Sequence, residues 1–251
     1  MGLLIDTFVL PSTYNALPLI SQVAGAPEDH SQDLQDLREL LNKHNVPKGV
    51  SVRLIHKHFD TTEGEVMVFD KIAVPGHGAV QIMKPIVPPT DNQLRGIHYF
   101  VDDNACLQAY EYGNFEVPDM SGYESFLVDF CNLVQERGLQ RKFGLKLQHD
   151  EDADQTGWTE YELHAKRGTI MFPDGMPMPD GDSDYIVTTE WKAILNKFPR
   201  YCRHGQCAHC RGHRYRSVED YGDEAGFYLG GQKILPGTPV YDIVDQIITA
   251  F

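Results

Sequence analysis

The chain has 251 residues, 41% apolar and 23% charged, enough to bury a substantial core in one domain or two tightly joined lobes. Thirty-six acids against twenty-two bases give a net charge of −14, which excludes a chain that coats nucleic acid or an anionic membrane over its whole surface. No apolar run reaches the ~18–20 residues that span a bilayer, and five cysteines, an odd number, do not make a secreted disulfide framework, so a reducing cytoplasm is the expected setting.

The apolar N-terminus lacks a basic leading region and is interrupted by Asp6 and Pro11, so it reads as a first strand and not a signal segment. Ser31 opens a helix with Leu34, Leu37, Leu40 and Leu41 on one face, ending before Asn45 and Pro47. Val50, Val52 and Leu54 then alternate with Ser51, Arg53 and Ile55, and Val66 and Val68 follow a turn at 60–64, the pattern of a strand pair. Further strands are expected near 79–83, 97–101, 143–147, 159–165, 168–172 and 185–189, with a hairpin turn at Ala165 to Gly168.

Ser121 and Glu124 form a capping box ahead of a second helix, whose stripe is Phe126, Leu127, Phe130, Leu133 and Val134 and whose stop is Gly138. A shorter helix is expected from Thr189, with Trp191, Ile194, Leu195 and Phe198 inward. Thr238 caps a last helix with Pro239 in its first turn and Val240, Ile243, Val244, Ile247, Ile248 and Phe251 on one face. Strands outnumber helices and do not alternate with them. The expected fold is therefore a single α+β domain over 1–251, a mainly antiparallel sheet with about four helices packed on it. Two Pro/Gly/Asp-rich stretches, 84–94 and 173–184, read as long loops, the second a candidate lobe boundary. The triplets Asp150, Asp152, Asp154 and Asp180, Asp182, Asp184 lack the glycine and glutamate of a calcium loop and read as solvated acidic loops.

Two clusters carry chemistry. Within residues 199–217, Cys202, Cys207 and Cys210 fall in nine positions beside His204, His209 and His213. Thiolate and imidazole are the ligands that a borderline-soft divalent ion prefers, so zinc held by Cys202, Cys207, Cys210 and His213 is expected, with His209 able to replace His213. Residues 202–212 also resemble the cluster loop of plant-type ferredoxins, with Cys, four residues, Cys, two residues, Cys. That resemblance implies a 2Fe-2S cluster and electron transfer; no cysteine follows Cys210 to serve as the fourth ligand. Arg203, Arg211 and Arg214 lie in a stretch free of acids, a basic loop on an acidic protein that suits an anionic partner.

The second cluster is His56-Lys57-His58, followed by Glu63 and Glu65. Alternation puts His56 and His58 on the face of Val50, Val52 and Leu54, pointing inward. With Glu65 from a partner strand they would form a three-ligand catalytic site for iron, manganese or zinc, provided that His58 pairs with Glu65 and not with Val66. Gly49 to Glu63 resembles the first motif of cupins, and His56-x-His58-x-Asp60 resembles the metallo-β-lactamase signature, although Thr61 stands where that family has another histidine.

The functions consistent with these features are a metalloenzyme acting on a small molecule, a zinc-structured module presenting a basic loop to an anionic partner, and an iron–sulfur electron carrier.

Overall fold

The computed structural model describes residues 4–76, 78–90, 93–148, 158–163, 166–173, 175–176, 187–193, 210–218, 227–229 and 232–248. In chain order the elements are β1 (Leu4–Ile5), α1 (Pro11–Asn15), α2 (Ile20–Val23), α3 (Ala26–Asp29), α4 (Ser31–Lys43), β2 (Val50–Leu54), β3 (Val66–Val74), β4 (Gly78–Ile86), β5 (Arg95–Val101) and β6 (Leu107–Gly113). They continue with α5 (Glu124–Glu136), β7 (Phe143–Leu147), β8 (Trp158–Leu163), β9 (Gly168–Pro173), β10 (Val187–Trp191), β11 (Cys210–Val218), β12 (Phe227–Leu229), β13 (Gln232–Ile234) and α6 (Pro239–Ile248).

Eleven strands form one sheet in the order β1-β6-β3-β4-β9-β8-β11-β10-β2-β7-β5. An additional pairing of β5 with β6, from Arg95↔Gly113 to Val101↔Leu107, joins the ends. Ten strands thus curl into a closed ring, and β1 lies beside the first half of β6. Two seams of the ring are parallel, β3–β6 and β8–β11. They separate a four-strand antiparallel block, β3-β4-β9-β8, from a six-strand one, β11-β10-β2-β7-β5-β6.

This corrects the expected α+β sheet with helices packed on it. The architecture is a large curled mixed sheet, and of the described helices only α4, α5 and α6 reach ten residues. The N-terminal segment is mostly three short helices and not a strand. The strand expected near 185–189 is present as β10 and runs on to Trp191, through the start of the helix expected from Thr189; β-branched Val187, Thr188 and Thr189 suit the pleat. The expected inward residues Ile194, Leu195 and Phe198, the final Phe251 and both acidic triplets lie outside the described residues.

The helix ends follow the sequence. Asn45 (φ 49°) and Gly138 (φ 64°) take the left-handed conformation after α4 and α5, and the next N–H returns to Leu41 O at 3.2 Å and Val134 O at 2.8 Å. The capping box does not form, because Ser121 bonds Asp119 at 2.7 Å and Glu124 reaches Gly122 N at 3.1 Å.

The helices cover one face of the ring. Leu34, Leu37 and Leu41 of α4 and Phe126, Phe130 and Val134 of α5 pack with Val50, Val52, Leu54, Leu145 and Leu147. Val240, Ile243, Val244 and Ile247 of α6 pack with Val80, Ile82, Tyr161, Leu163, Ile170 and Phe172. Side chains alternate across a strand, so the intervening residues line the inside. There Ile55, Met67, Phe69, Met83, Ile97, Phe100, Tyr110, Trp158 and Met171 form a third cluster, joined by Val9, Tyr14 and Leu17 of the N-terminal segment. That segment is pinned in place: Asn15 exchanges hydrogen bonds with the Thr61 backbone, and Lys57 N donates to Pro18 O at 2.8 Å.

Candidate functional site

Among the described residues the inner face also carries a group of polar and charged side chains. On β2, Ser51 and Arg53 alternate with the outward-packing valines and are both 1% exposed. Their neighbours across the sheet are Lys146 and Gly144 on β7, and Glu190 on β10 lies opposite Arg53. The Glu190 carboxylate accepts from Ser51 Oγ at 3.0 Å and from Lys146 Nζ at 2.8 Å. His98 of β5 is opposite Lys146.

A register shift between β5 and β6 sets the next group. His98 pairs with Glu111 and Tyr99 with Ala109, which leaves Tyr110 as an extra residue. Such a bulge re-aims side chains, and here Tyr110 and Glu111 both turn inward. Glu111 is fully buried; one oxygen accepts from Tyr14 Oη at 3.3 Å and the other pairs with His98 Nδ1. Burial pushes the Glu111 carboxyl up from its ordinary value, while Arg53 and His58 pull the other way. Arg53 Nη2 lies 3.9 Å from Glu111, beside the Tyr110 hydroxyl.

Beyond Leu54 the chain leaves its neighbour strand. Ile55 N donates to Lys142 O, and Lys57 makes an isolated bridge with Leu19. The alternation breaks there, and His56 and His58 come together with ring centroids 4.8 Å apart. His56 Nδ1 donates to the Leu54 carbonyl at 2.9 Å, so the neutral ring carries its lone pair on Nε2. Burial, with the positive charges of Arg53 and His58, holds its pKa well below the ordinary value. His58 Nδ1 faces Glu160 Oε1 at 3.0 Å and Glu162 Oε1 at 3.5 Å on β8. Burial opposes its cation, but the carboxylates prevail and raise its pKa to about 10. The pair is one neutral and one protonated imidazole in van der Waals reach, a base beside an acid.

Glu65 does not join them. Its carboxylate is clamped by Arg167 Nη1 at 3.1 Å and Nη2 at 2.8 Å and accepts from Thr62 N, and the Arg167 hydrogen bonds lower its pKa to about 2. The expected hairpin between β2 and β3 is absent because β3 pairs with β4 and β6, whereas β2 pairs with β7 and β10. Among the described residues no group of three or more His, Cys, Asp and Glu is arranged to hold a metal ion, the His56, His58 and Glu65 triad included.

In the other cluster, Cys202, Cys207, His209 and Arg203 lie outside the described residues. Cys210, Arg211, His213 and Arg214 belong to β11, a wall strand paired on both edges and not a presented loop. Cys210 is opposite Trp191, and His213 is opposite Val187 and Trp158.

Arg53, His98, Tyr110, Glu111, Glu160, Glu162 and Glu190 were not singled out in the sequence. The available signal was an ionisable residue inside an apolar strand, as in Gly96-Ile-His-Tyr-Phe-Val101 and Ala109-Tyr-Glu-Tyr-Gly113. Glu160 and Glu162 carried none, because Glu alternating with Tyr161 and Leu163 looks like an ordinary solvent-facing strand.

The chain matches no protein-family model, no curated protein and no solved structure. Among the described residues no helix is long and apolar enough to cross a membrane.

Proposed function

We propose that this protein is an enzyme acting on a small molecule by proton transfer inside the ring, with His56 as general base and His58 as general acid. The observation that carries this reading is the imidazole pair, 4.8 Å apart and set to opposite protonation states by fixed partners. Titratable neighbours pushed to opposite sides of neutrality are how one site holds both an acid and a base at a single pH. A carbon acid next to a carbonyl is the substrate type that needs both. His56 Nε2 takes the proton from carbon, and His58 donates a hydrogen bond to the oxygen that gains charge. Return of the proton closes the cycle without a co-reactant.

The experiment is solvent deuterium exchange. Full-length protein in D2O is incubated with pyruvate, 2-oxobutyrate and 2-oxoglutarate, and proton NMR follows loss of the signal from the carbon beside the carbonyl. Exchange well above the buffer rate, lost in both His56→Asn and His58→Asn, supports the reading. Exchange that persists in His56→Asn, or fails with every compound, rejects it.

The cysteine cluster supports a second and separate proposal from its composition: zinc on Cys202, Cys207, Cys210 and His213 or His209, with iron or a 2Fe-2S cluster as alternatives. Cys210 is the first residue of β11, so an ion there would be tied to the start of a wall strand. Arg203, Arg211 and Arg214 would be the contacts for an anionic partner. Elemental analysis of untagged protein should give close to one equivalent of zinc, lost in Cys207→Ser with Cys210→Ser. Metal-free protein with unchanged melting in that variant rejects the site.

A further inference from the structure

We infer that the ring interior takes its ligand by a carboxylate group, gripped by the guanidinium of Arg53 with the Tyr110 hydroxyl beside it. This names the substrate class for the proton-transfer reading above and rests on that reading for its catalytic meaning.

Arg53 is 1% exposed, in the middle of an inward-facing strand position. None of its Nε, Nη1 and Nη2 atoms has an acceptor in hydrogen-bond geometry among the described residues. The buried Tyr110 hydroxyl lacks such a partner too. The nearest carboxylate is Glu111, 3.9 Å away, and both its oxygens serve other donors, Tyr14 and His98. Glu190, opposite Arg53 in register, is taken by Ser51 and Lys146, and Glu160 by His58. Each of these three acids is thus engaged by another group.

Burying a guanidinium is costly; Tyr110 and Glu111 offset part of that cost, but among the described residues no carboxylate meets its donors in hydrogen-bond geometry. Its planar fork matches two oxygens of one carboxylate, the pairing that offsets this cost best. A third donor from Tyr110 would complete such a site. Among the described residues of the ring, the acids Glu111, Glu160, Glu162 and Glu190 already outnumber the cations Arg53, His58 and Lys146 by one. A phosphate dianion is therefore opposed more strongly than a carboxylate, whose single charge meets the Arg53 fork directly. His56 lies close enough to Arg53 to feel its charge, which adds to burial in lowering its basicity, and His58 lies against His56.

The test is ligand binding, measured independently of turnover. Acetate, pyruvate and benzoate are titrated into the full-length protein by ligand-observed NMR, against acetamide, pyruvamide, benzamide and inorganic phosphate. The expected result is binding of at least one carboxylate, at least 30-fold weaker binding of its amide, and a loss of at least 30-fold in Arg53→Met. Should Arg53→Met fail to fold, Arg53→Lys keeps the charge without the fork and should weaken binding at least tenfold.

Equal binding by the Arg53 variant, no binding by any carboxylate, or preference for phosphate would each overturn the inference. Carboxylate binding that depends on Arg53 but brings no deuterium exchange would leave this inference standing and reject the proton-transfer reading instead.

Discussion

His56 and His58 stand 4.8 Å apart between ring centroids, and their Nδ1 atoms face opposite kinds of partner, a carbonyl oxygen for one and two carboxylates for the other. In an unfolded chain both titrate near the ordinary value of 6.5. Between pH 6.5 and about 10 the unfolded chain releases the His58 proton while the folded one keeps it, so stability falls as pH rises through that window. Below 6.5 the unfolded chain protonates His56 and the folded one resists, so stability also falls on acidification. Each limb should slope by at most about 1.4 kcal/mol per pH unit. Urea denaturation from pH 5 to 10 measures it. His58→Asn should flatten the alkaline limb and His56→Asn the acid limb, and unchanged limbs would show that the pair does not titrate this way.

Glu111 accepts from Tyr14 and His98 and is the nearest acid to Arg53. Removing its charge takes the nearest carboxylate from the buried Arg53 guanidinium, and breaking a buried pair from one side costs about 3–5 kcal/mol. Glu111→Gln should therefore destabilise by about that amount in urea. Adding Arg53→Met removes one stranded charge, so the double variant should be clearly less destabilised than the sum of the two singles.

Leu37 of α4 and Ile243 of α6 are both fully buried, in separate clusters on the outside of the ring. Leu37→Ala and Ile243→Ala should each cost about 2–5 kcal/mol. Because the two sites share no partners, the costs should add within about 0.5 kcal/mol in the double variant. A strong departure from additivity would contradict two independent helical layers.

Gly144 on β7 leaves no room for a side chain, since a Cβ there would sit 1.9 Å from the Tyr99 carbonyl oxygen on β5. The obstacle is backbone that is itself held by strand pairing. Gly144→Ala should thus destabilise at or above the upper end of the ~1–3 kcal/mol typical of overpacking, read as a lowered melting temperature. Lys146→Met, two positions along the same strand, meets no such backbone obstacle; its cost comes from taking the ammonium away from the buried Glu190 carboxylate.

The apolar stripes of α4, α5 and α6 were legible because a 3.6-residue period in Leu34, Leu37 and Leu41 has one structural meaning. The strands near 97–101, 143–147 and 168–172 were legible for the same kind of reason. What the pattern could not convey was closure. Ser51 and Arg53, polar and alternating with valine, have the signature of a solvent face, and only a ring turns that face inward. The same ambiguity hid Glu160 and Glu162. His56 and His58 were rightly expected to be buried, but on the face of Val50 and Val52. The break in alternation after Leu54 depends on the distant partners Lys142, Pro18 and Leu19, which no local pattern contains.

The order in which the ring's staves leave the ribosome differs from the order in which they stand. β2 is made early, yet it needs β10, and β10 in turn needs β11, the last strand of the ring to be synthesised. Until residue 218 has emerged, β8 and β10 each expose an unsatisfied row of backbone donors and acceptors, the template on which strands of other chains add. Such late, long-range pairing makes assembly slow. A nascent chain therefore carries sticky edges through most of its synthesis, and a product cut short before β11 would accumulate in aggregates even with the other nine strands of the ring intact.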